Sequence, residues 1–232
     1  VAKNMKVRLI SYSKLSDLFI DYEDDKTTSD LQEIVAFCAR VSNPTNQMNS
    51  ETSEKLIRYL IKHGHWSPLE MVNICLEIET TRDIAHQIVR HRSFAFQEFS
   101  QRYAKPEEMG NQYIDREARL QDTKNRQNSI EIDPDLDIHW AWKQEQLKIY
   151  SAAQDAYNWA IENGIAKEQA RAVLPEGNTK TKLYMNGSLR SWVHYIGLRS
   201  GHGTQKEHME IACECAKTIE PIFPMISEFV CK

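Results

Sequence analysis

The amino-acid sequence predicts an α+β fold, in which a small and mainly antiparallel sheet is surrounded by more helix than strand. Three observations lead to this prediction. Residues 5–11 alternate polar and apolar side chains, which is typical of a short strand with one buried face. Residues 65–81 contain a denser apolar run, which indicates a largely buried strand. From residue 138 onwards, apolar side chains recur instead at helical spacing.

An acidic tract at residues 21–30 separates the first strand from the first predicted helix. Its like charges repel one another and it has no apolar face, so we expect an exposed loop. Ser29 or Asp30 is then expected to cap a helix over residues 31–42. The residues of that helix that fall at helical spacing are Leu31, Ile34, Val35 and Cys38.

A second helix is predicted to begin at Ser53, after the helix-breaking sequence NPTNQ at residues 43–47. Gly64 is its expected stop, because glycine readily takes the left-handed conformation that often ends a helix. The apolar face of this helix consists of Leu56, Ile57, Leu60 and Ile61.

The buried strand within residues 65–81 is followed directly by a helical pattern over residues 82–92. The apolar residues of the strand are Met71, Val72, Ile74, Leu76 and Ile78, and those of the helix are Ile84, Ile88 and Val89. This order places Arg90 and Arg92 near the C-terminus of the helix and in the loop beyond it.

Residues 106–138 are polar and irregular, which predicts a loop insertion or a partly mobile segment in a single domain spanning residues 1–232. A long helix should follow over residues 138–163. Its candidate core contacts are Trp140, Leu147, Tyr150 and Ala153. Three further helices are expected at residues 165–174, between Gly164 and Pro175, and at residues 188–201 and 206–223.

The composition, with 41% hydrophobic and 27% charged residues, is ordinary for a globular protein. The formal net charge is -4, whereas a protein that holds nucleic acid by its phosphates is usually basic or has a large basic face. We therefore expect a small anionic ligand in a pocket. No apolar stretch approaches the roughly 20 residues that span a bilayer, and the N-terminal apolar stretch is too short for a secretory signal. These features favour a cytoplasmic protein.

The cysteines show no CxxC pair; they are Cys38, Cys75, Cys213, Cys215 and Cys231. An odd number without paired spacing indicates reduced thiols, as in the cytoplasm. Cys213 and Cys215 would point to different sides of a helix, so we expect no metal site. The motifs GxGxxG, GxxxxGK[ST] and GxSxG are absent, so the sequence indicates neither a Rossmann or P-loop phosphate site nor a hydrolase nucleophile.

The stretch RHRSFAFQEFSQR at residues 90–102 is unusually dense in both anion-binding and apolar side chains. Arg90, Arg92 and Arg102 carry planar, permanently charged groups whose N–H donors suit a phosphate. The plain alternative is that arginines at a helix C-terminus offset the helix dipole and face water. A third interpretation is a module that binds single-stranded nucleic acid through the arginines and phenylalanines of this stretch.

The phenylalanines of the same stretch are Phe94, Phe96 and Phe99. They either wall a pocket, where they would stack on planar rings, or belong to the core. We assign Phe99 to the core.

Two further arginines, Arg171 and Arg199, lie among apolar helix positions. An arginine is costly to bury there unless it is paired or contacts an anion. The alternative for each is a salt bridge, and the candidate partners are Glu98, Glu168 and Glu176. Ser67 could donate a hydrogen bond at the start of the buried strand, although Ser67-Pro68 also suits a simple turn.

The sequence resembles the flavin-dependent thymidylate synthases, the ThyX family, whose signature is Arg-His-Arg, seven residues and a serine. That signature occurs here from Arg90 to Ser100. Other stretches similar to family blocks, in the expected order, are CARVSNP (38–44), GHWSPLE (64–70), RDIAHQIVRHR (82–92), FSQRY (99–103), ARAVLP (170–175) and LRSGHGTQKEHMEIA (198–212). The resemblance covers nearly the whole chain apart from residues 106–138, and the later blocks are most similar to phage and viral members.

The resemblance implies an enzyme that methylates dUMP at uracil C5. Methylenetetrahydrofolate would supply the carbon, and NADPH would supply electrons through bound FAD. It also implies a ThyX-like fold assembled as a homotetramer, with the FAD sites where subunits meet.

Residue roles follow by the same resemblance. The matched FAD positions are Ser67, Arg90, His91, Arg92, Glu98, Asn186 and His194. The matched dUMP positions are Gln87, Arg90, Glu98, Ser100, Arg102, Arg171 and Arg199. Arg199 matches the arginine that polarises the uracil and is the implied catalytic residue, whereas Ser100 is interpreted as a hydroxyl that positions the nucleotide. Ala95 stands where the family often has serine, so a serine there is not essential to this chain's chemistry.

Overall fold

An antiparallel sheet forms the centre of the molecule, which is described here from a computed structural model covering residues 5–16, 31–110 and 113–231. In chain order the strands are β1 (Lys6–Tyr12), β2 (Asn73–Thr81), β3 (Ala95–Glu98), β4 (Arg119–Gln121), β5 (Ser129–Glu131) and β6 (Lys180–Ser188). The main sheet has the order β1-β2-β6-β3, and β4 pairs with β5 in a separate hairpin. The predicted α+β fold with a small antiparallel sheet is confirmed.

The helices of the described residues are α1 (Leu31–Ala39), α2 (Ser53–Lys62), α3 (Arg82–Ile88), α4 (Asp137–Glu162), α5 (Lys167–Ala170), α6 (Leu189–Arg199) and α7 (Lys206–Ile219). Short 3-10 turns lie at Pro44–Asn46, Ser67–Met71, Pro106–Met109, Arg171–Val173 and Pro224–Phe229. Within the three described ranges, no helix has the length and apolar character needed to cross a membrane.

The main hydrophobic core joins one face of the sheet to residues from α1, α2, α3, α6 and α7. The strands β2 and β6 alternate as half-buried strands do, and Leu76 lies opposite Met185 with both side chains fully buried. Trp192 of α6 is also fully buried, and its Nε1 donates to the Ile74 carbonyl at 3.0 Å. The apolar faces of β2 and β6 therefore fix α6 against the sheet.

The opposite face of the sheet carries charged side chains that pair across strands. Glu77 of β2 is almost fully buried and accepts hydrogen bonds from Arg8 Nε at 2.8 Å and from the Tyr184 hydroxyl at 2.9 Å. Lys182 lies 3.2 Å from Glu79 on the neighbouring strand. Burial raises the pKa of Glu77, but Arg8, Tyr184 and Lys182 outweigh burial and lower it below its ordinary value.

Strand β1 is confirmed, but β2 begins at Asn73, later than the predicted buried strand. Ser67-Pro68 instead opens the 3-10 turn Ser67–Met71, so Met71 is 56% exposed and its assignment to the strand was wrong. The sequence analysis also missed β3 and β6. Strand β6 does alternate, but polar residues occupy its outer face and leave only Leu183 and Met185 as large buried apolar side chains.

The long helix α4 is confirmed, but its predicted core contacts were wrong. Trp140 is 69% exposed and Leu147 is 43% exposed, while Tyr150 and Ala153 are only partly buried. Near its C-terminus α4 packs on the chain around α5, where a second small core consists of Tyr157, Ala160, Ala170 and Leu174. In the N-terminal half of α4, Gln146 is buried and bonded to the Arg116 backbone, but the large apolar side chains there lie largely in solvent.

The other helix predictions are confirmed with shifted ends. Helix α1 ends at Ala39, earlier than expected, while α2 begins at Ser53 as expected. Gly64 follows α2 with a φ of 70°, the left-handed conformation that its position predicted. The acidic tract at residues 21–30 and its capping candidates Ser29 and Asp30 lie outside the described residues.

Candidate active site

The Arg-His-Arg turn is anchored in the core by the phenylalanine that follows it. Phe94 is 9% exposed, and its ring lies 4.9 Å from that of Trp192. Gly187 of β6 approaches so closely that a Cβ atom there would lie 2.4 Å from the Phe94 ring. The prediction that Phe99 belongs to the core was wrong, because Phe99 is only partly buried and lies outside both core clusters.

His91 joins this turn to the C-terminus of α6. Arg199 Nε donates to His91 Nε2 at 2.9 Å, so the proton of the neutral imidazole must be on Nδ1. Burial, together with the Arg199 charge, lowers the pKa of His91 to about 4. The pair therefore presents one positive charge, on the guanidinium.

Three of the predicted arginines have no partner among the residues that the structure describes. Arg90, Arg92 and Arg171 make no salt bridge or side-chain hydrogen bond with any residue in the described ranges, and Arg90 and Arg92 are exposed. Among the described residues, neither Arg171 nor Arg199 forms a salt bridge with a glutamate, which was the alternative expected for them. Because most arginines in this chain do pair with carboxylates, the free guanidinium groups are available to an anion.

Gln87 lies one turn before the Arg-His-Arg turn and contacts α7. Its Oε1 is 3.3 Å from His208 Nδ1, and its Nε2 donates to Gln205 Oε1 at 2.8 Å. His208 is fully buried, and its Nε2 lies 3.1 Å from the Tyr195 hydroxyl. Burial lowers the pKa of His208 to about 3.

The residues at the end of β3 form a second group. Glu98 Oε1 accepts from the Thr181 hydroxyl at 2.9 Å and pairs with Arg82 at 3.4 Å. Arg102 pairs with Glu168 of α5 at 3.0 Å, which holds this segment close to the turn that carries Arg171.

Gln101, which lies between Ser100 and Arg102, has a buried side-chain amide. Its Nε2 finds no hydrogen-bond partner among the residues described. A buried donor without a partner is costly, so this segment offers a hydrogen bond that no described residue satisfies.

A third group surrounds the 3-10 turn that begins at Ser67. The Trp66 ring lies 4.4 Å from the ring of His194 on α6. Ser67, Asn186 and His194 are all exposed, and Asn186 pairs with Ala95 in the sheet, three residues after Arg92. The structure thus brings Ser67 near His194, and Asn186 near the Arg-His-Arg turn.

Within the described residues, no side-chain hydrogen bond or salt bridge joins Arg102 or Arg171 to Arg199, so the predicted site residues of one chain form separate groups. A cavity of about 530 Å³ lies elsewhere, beside α7 and the N-terminal part of α4, and none of the predicted site residues lines it. Among the described residues of one chain, the predicted site is therefore a set of separate groups that are exposed or partly buried.

The polar segment at residues 106–138 contributes an ion-pair network that sequence reasoning missed. Arg116 pairs with Asp83 at 2.8 Å and with Glu207 at 3.2 Å, and Arg119 pairs with Glu207 at 2.6 Å. Both arginine side chains are largely buried. The segment contains the β4–β5 hairpin and is tied to α3 and α7. The only available signal was the placement of arginines in a polar stretch, which does not identify their partners.

Residues 25–225 match the family model described as thymidylate synthase complementing protein. The chain is also 48% identical over 197 residues to the probable flavin-dependent thymidylate synthase of Paramecium bursaria Chlorella virus 1, covering 85% of this chain and 89% of the relative. The chain belongs to the flavin-dependent thymidylate synthase family. A second member, from Synechocystis sp., is 46% identical over 223 residues, covering 96% of this chain and 98% of the relative.

A solved structure shares the fold of this flavin-dependent thymidylate synthase. The UMP/dUMP methylase PolB from Streptomyces cacaoi, bound with 5-Br UMP, superposes with a TM-score of 0.79 at 23% identity, covering 97% of this chain and 93% of that one. The predicted family is confirmed, including its similarity to a viral member.

Two histidines of this thymidylate synthase, the buried His208 and the partly buried His91, predict a loss of stability on acidification. The pKa values of His91 and His208 are about 4 and about 3, below the ordinary value of 6.5, so the unfolded chain binds these protons first. The part of the unfolding free energy that depends on these histidines being neutral is fully present above pH 6.5. It is lost as the pH falls towards 4.

Ordinary carboxylates titrate mostly below about pH 5, so the melting temperature between about pH 6.5 and 5 should report mainly the histidines. We expect it to fall over this interval, and to fall less in a His208→Gln variant. Parallel curves for the two proteins would contradict the assignment to His208.

Proposed function

We propose that this enzyme converts dUMP to dTMP by reductive methylation at uracil C5. Methylenetetrahydrofolate supplies the one-carbon unit, NADPH supplies the electrons, and FAD is the bound cofactor. Family membership supports the reaction class. The observation that carries the assignment is the set of arginines, Arg90, Arg92 and Arg171, that have no partner within the described residues and lie in the blocks that resemble the family.

The residues proposed to hold FAD fit a dinucleotide. Arg90 and Arg92 offer free guanidinium groups to the pyrophosphate, and His91 is a neutral imidazole beside them. Exposed polar groups at Ser67, Asn186 and His194 are available for further hydrogen bonds. FAD, when bound, supplies the redox chemistry, while these residues orient it.

The proposed dUMP residues divide into two sets. One set, Gln87, Arg90 and Arg199, surrounds the end of α3, and the other, Glu98, Ser100, Arg102 and Arg171, lies at the end of β3 and around α5. We propose that each site takes one set from one protomer and the other set from a neighbour in a homotetramer. The exposed arginines and the unsatisfied Gln101 amide support this arrangement, because neither has a partner among the described residues.

Arg199 is proposed to be the catalytic residue. Hydride delivery places negative charge on the uracil ring, and a fixed guanidinium stabilises that charge where it develops. His91 accepts from Arg199 Nε and so holds the guanidinium in one orientation without neutralising its charge. The remaining guanidinium N–H groups are then free to donate to a uracil carbonyl.

The reaction takes place, in this proposal, in one catalytic domain and in the cytoplasm, where nucleotide and folate substrates are available. All five cysteines are free thiols, and the proposed reaction uses none of them as a nucleophile. The Ser100 hydroxyl accepts from the Arg102 backbone N–H, and no base among the described residues is hydrogen-bonded to it, which supports a positioning role.

Purified protein is expected to be yellow, to elute well above the 27.0 kDa mass of one chain, and to release tritium from 5-tritiated dUMP. An Arg92→Ala variant should lose flavin absorbance, whereas Arg58→Ala, an exposed arginine paired with Glu54 and Glu228, should keep it. A colourless protein that releases no tritium would overturn the proposal. Salt-sensitive binding of single strands without a flavin spectrum would instead support the nucleic-acid interpretation.

A further inference from the structure

A chain of side-chain hydrogen bonds leads from an ion-paired carboxylate on α7 to Gln87 and beyond. Glu207 Oε2 accepts from Gln205 Nε2 at 3.0 Å, and Gln205 Oε1 accepts from Gln87 Nε2 at 2.8 Å. Gln87 Oε1 contacts His208 Nδ1 at 3.3 Å, and His208 Nε2 contacts the Tyr195 hydroxyl at 3.1 Å. The order is therefore Glu207, Gln205, Gln87, His208 and Tyr195.

Four members of this chain have no intrinsic direction. A carboxamide presents either its oxygen or its NH2 group after a flip, a neutral imidazole exists as two tautomers, and a hydroxyl both donates and accepts. The four groups are therefore compatible with two opposite sets of hydrogen bonds. Glu207 differs, because an ionised carboxylate only accepts.

The carboxylate removes this ambiguity link by link. Gln205 must present its NH2 group to Glu207, so its oxygen faces Gln87 and accepts from the Gln87 NH2 group. The Gln87 oxygen then faces His208, which must carry its proton on Nδ1. His208 Nε2 is left to accept from the Tyr195 hydroxyl.

Two arginines from the polar segment keep this carboxylate charged. Arg119 lies 2.6 Å from Glu207 Oε1, and Arg116 lies 3.2 Å from Oε2. Burial raises the pKa of Glu207, but Arg116, a backbone hydrogen bond and Arg119 outweigh burial and lower it. Towards the other end of this series of hydrogen bonds, burial lowers the pKa of His208 and keeps the imidazole neutral. It therefore has a single N–H that can donate.

We propose that Glu207, held by Arg116 and Arg119, is a positioning residue that sets the direction of this chain and so fixes which side of the Gln87 carboxamide donates and which accepts. The inference rests on the proposed function, in which Gln87 contacts dUMP. A reversed Gln87 would exchange donor and acceptor towards the nucleotide and leave a polar group of the ligand unmatched.

A Glu207→Gln variant tests the direction itself. Arg119, the nearer of the two arginines, keeps the oxygen of the new amide at the Oε1 position. The NH2 group then stands at the Oε2 position, where it gives up the longer contact with Arg116 and donates to Gln205, so every hydrogen bond in this series reverses. In protein labelled with ¹⁵N-histidine, NMR at pH 7 should show His208 protonated on Nδ1 in the wild type and on Nε2 in the variant. The dissociation constant for dUMP should rise about tenfold in the variant, the loss of one hydrogen bond of typical net strength.

Two further variants distinguish a change in the direction of these hydrogen bonds from general damage to the fold. Glu210→Gln changes a carboxylate on the same helix that forms no salt bridge in the part of the chain that is described, and it should leave both the His208 tautomer and dUMP binding unchanged. Gln205→Ala breaks the chain at an exposed residue without touching the ion pairs. It should give a mixture of His208 tautomers and weaken dUMP binding several-fold.

The outcomes are distinct. A wild-type His208 protonated on Nε2 overturns the inference, as does a reversed tautomer in Glu207→Gln without weaker dUMP binding. If Glu207→Gln fails to fold, the Gln205→Ala variant decides in the same way. A wild-type protein with the expected tautomer that binds no dUMP overturns the proposed function instead.

Discussion

An Arg199→Ala variant is expected to form dTMP about 100- to 1,000-fold more slowly than the wild type while keeping its flavin absorbance. Arg199 is held against His91 at 2.9 Å and has no carboxylate partner in the described ranges. In the proposed reaction it faces negative charge on the uracil ring, and losing one preorganised donor of this kind costs about 10²–10³ in kcat. Single-turnover formation of dTMP measures the rate, and the absorbance spectrum of the same protein shows whether flavin is still bound.

An Arg199→Lys variant should form dTMP at a rate between those of the wild type and Arg199→Ala. Lysine keeps the charge but lacks the planar set of donors that contacts His91. Arg58→Ala is the matched control, since exposed ion pairs contribute only about 0–1 kcal/mol and Arg58 lies on α2, among exposed partners. Full dUMP methylation by Arg199→Ala would refute the role assigned to this residue.

A Trp192→Ala variant is expected to be destabilised by about 3–5 kcal/mol, the largest stability effect we predict from a single side chain. The indole is fully buried, packs against Phe94 and donates to the Ile74 carbonyl. Truncation leaves a cavity in the middle of the core and removes the hydrogen bond to the Ile74 carbonyl. The melting temperature should fall by about 10 °C, given roughly 2–4 °C per kcal/mol for a chain of this size.

Trp140→Ala is the control for this substitution, because Trp140 has the same side chain but is 69% exposed on α4. We expect its unfolding free energy to stay within about 0.5 kcal/mol of the wild type. Urea denaturation of the three proteins measures the difference. A Trp192→Ala protein as stable as Trp140→Ala would show that the core does not depend on α6.

The helices could be predicted because their signals are local. Ser53, Gly64 and the apolar spacing between them define α2 within a few residues. Strand β6 could not be recognised in the same way, because its pairing partners lie far away in the sequence and its outer face is polar. The exposed N-terminal part of α4 shows the opposite error: a periodic apolar face predicts a helix but not the surface that covers it.

The candidate site was predicted in parts. Motif spacing named Arg90, His91, Ser100 and Arg199, and the family that the motifs indicated is confirmed. Their roles remain predictions. The contact between His91 and Arg199 could not be derived from spacing, because 108 positions separate the two residues. Nor could the role of Arg116 and Arg119 be found, because a polar segment gives no sign of which distant carboxylate it contacts.

The pairing of β2 with β6 limits when the protein can fold during its own synthesis. Glu77 and Tyr184, which are hydrogen-bonded across these strands, are 107 positions apart. At about 5–20 residues per second, a ribosome needs roughly 5–20 s to make the intervening chain. During that time β2 has an open edge, and Ile74, Leu76 and Ile78 lack the cover that α6 and α7 later provide. Unpaired apolar strands of this kind aggregate readily, so the nascent chain stays vulnerable until its C-terminal helices have left the ribosome.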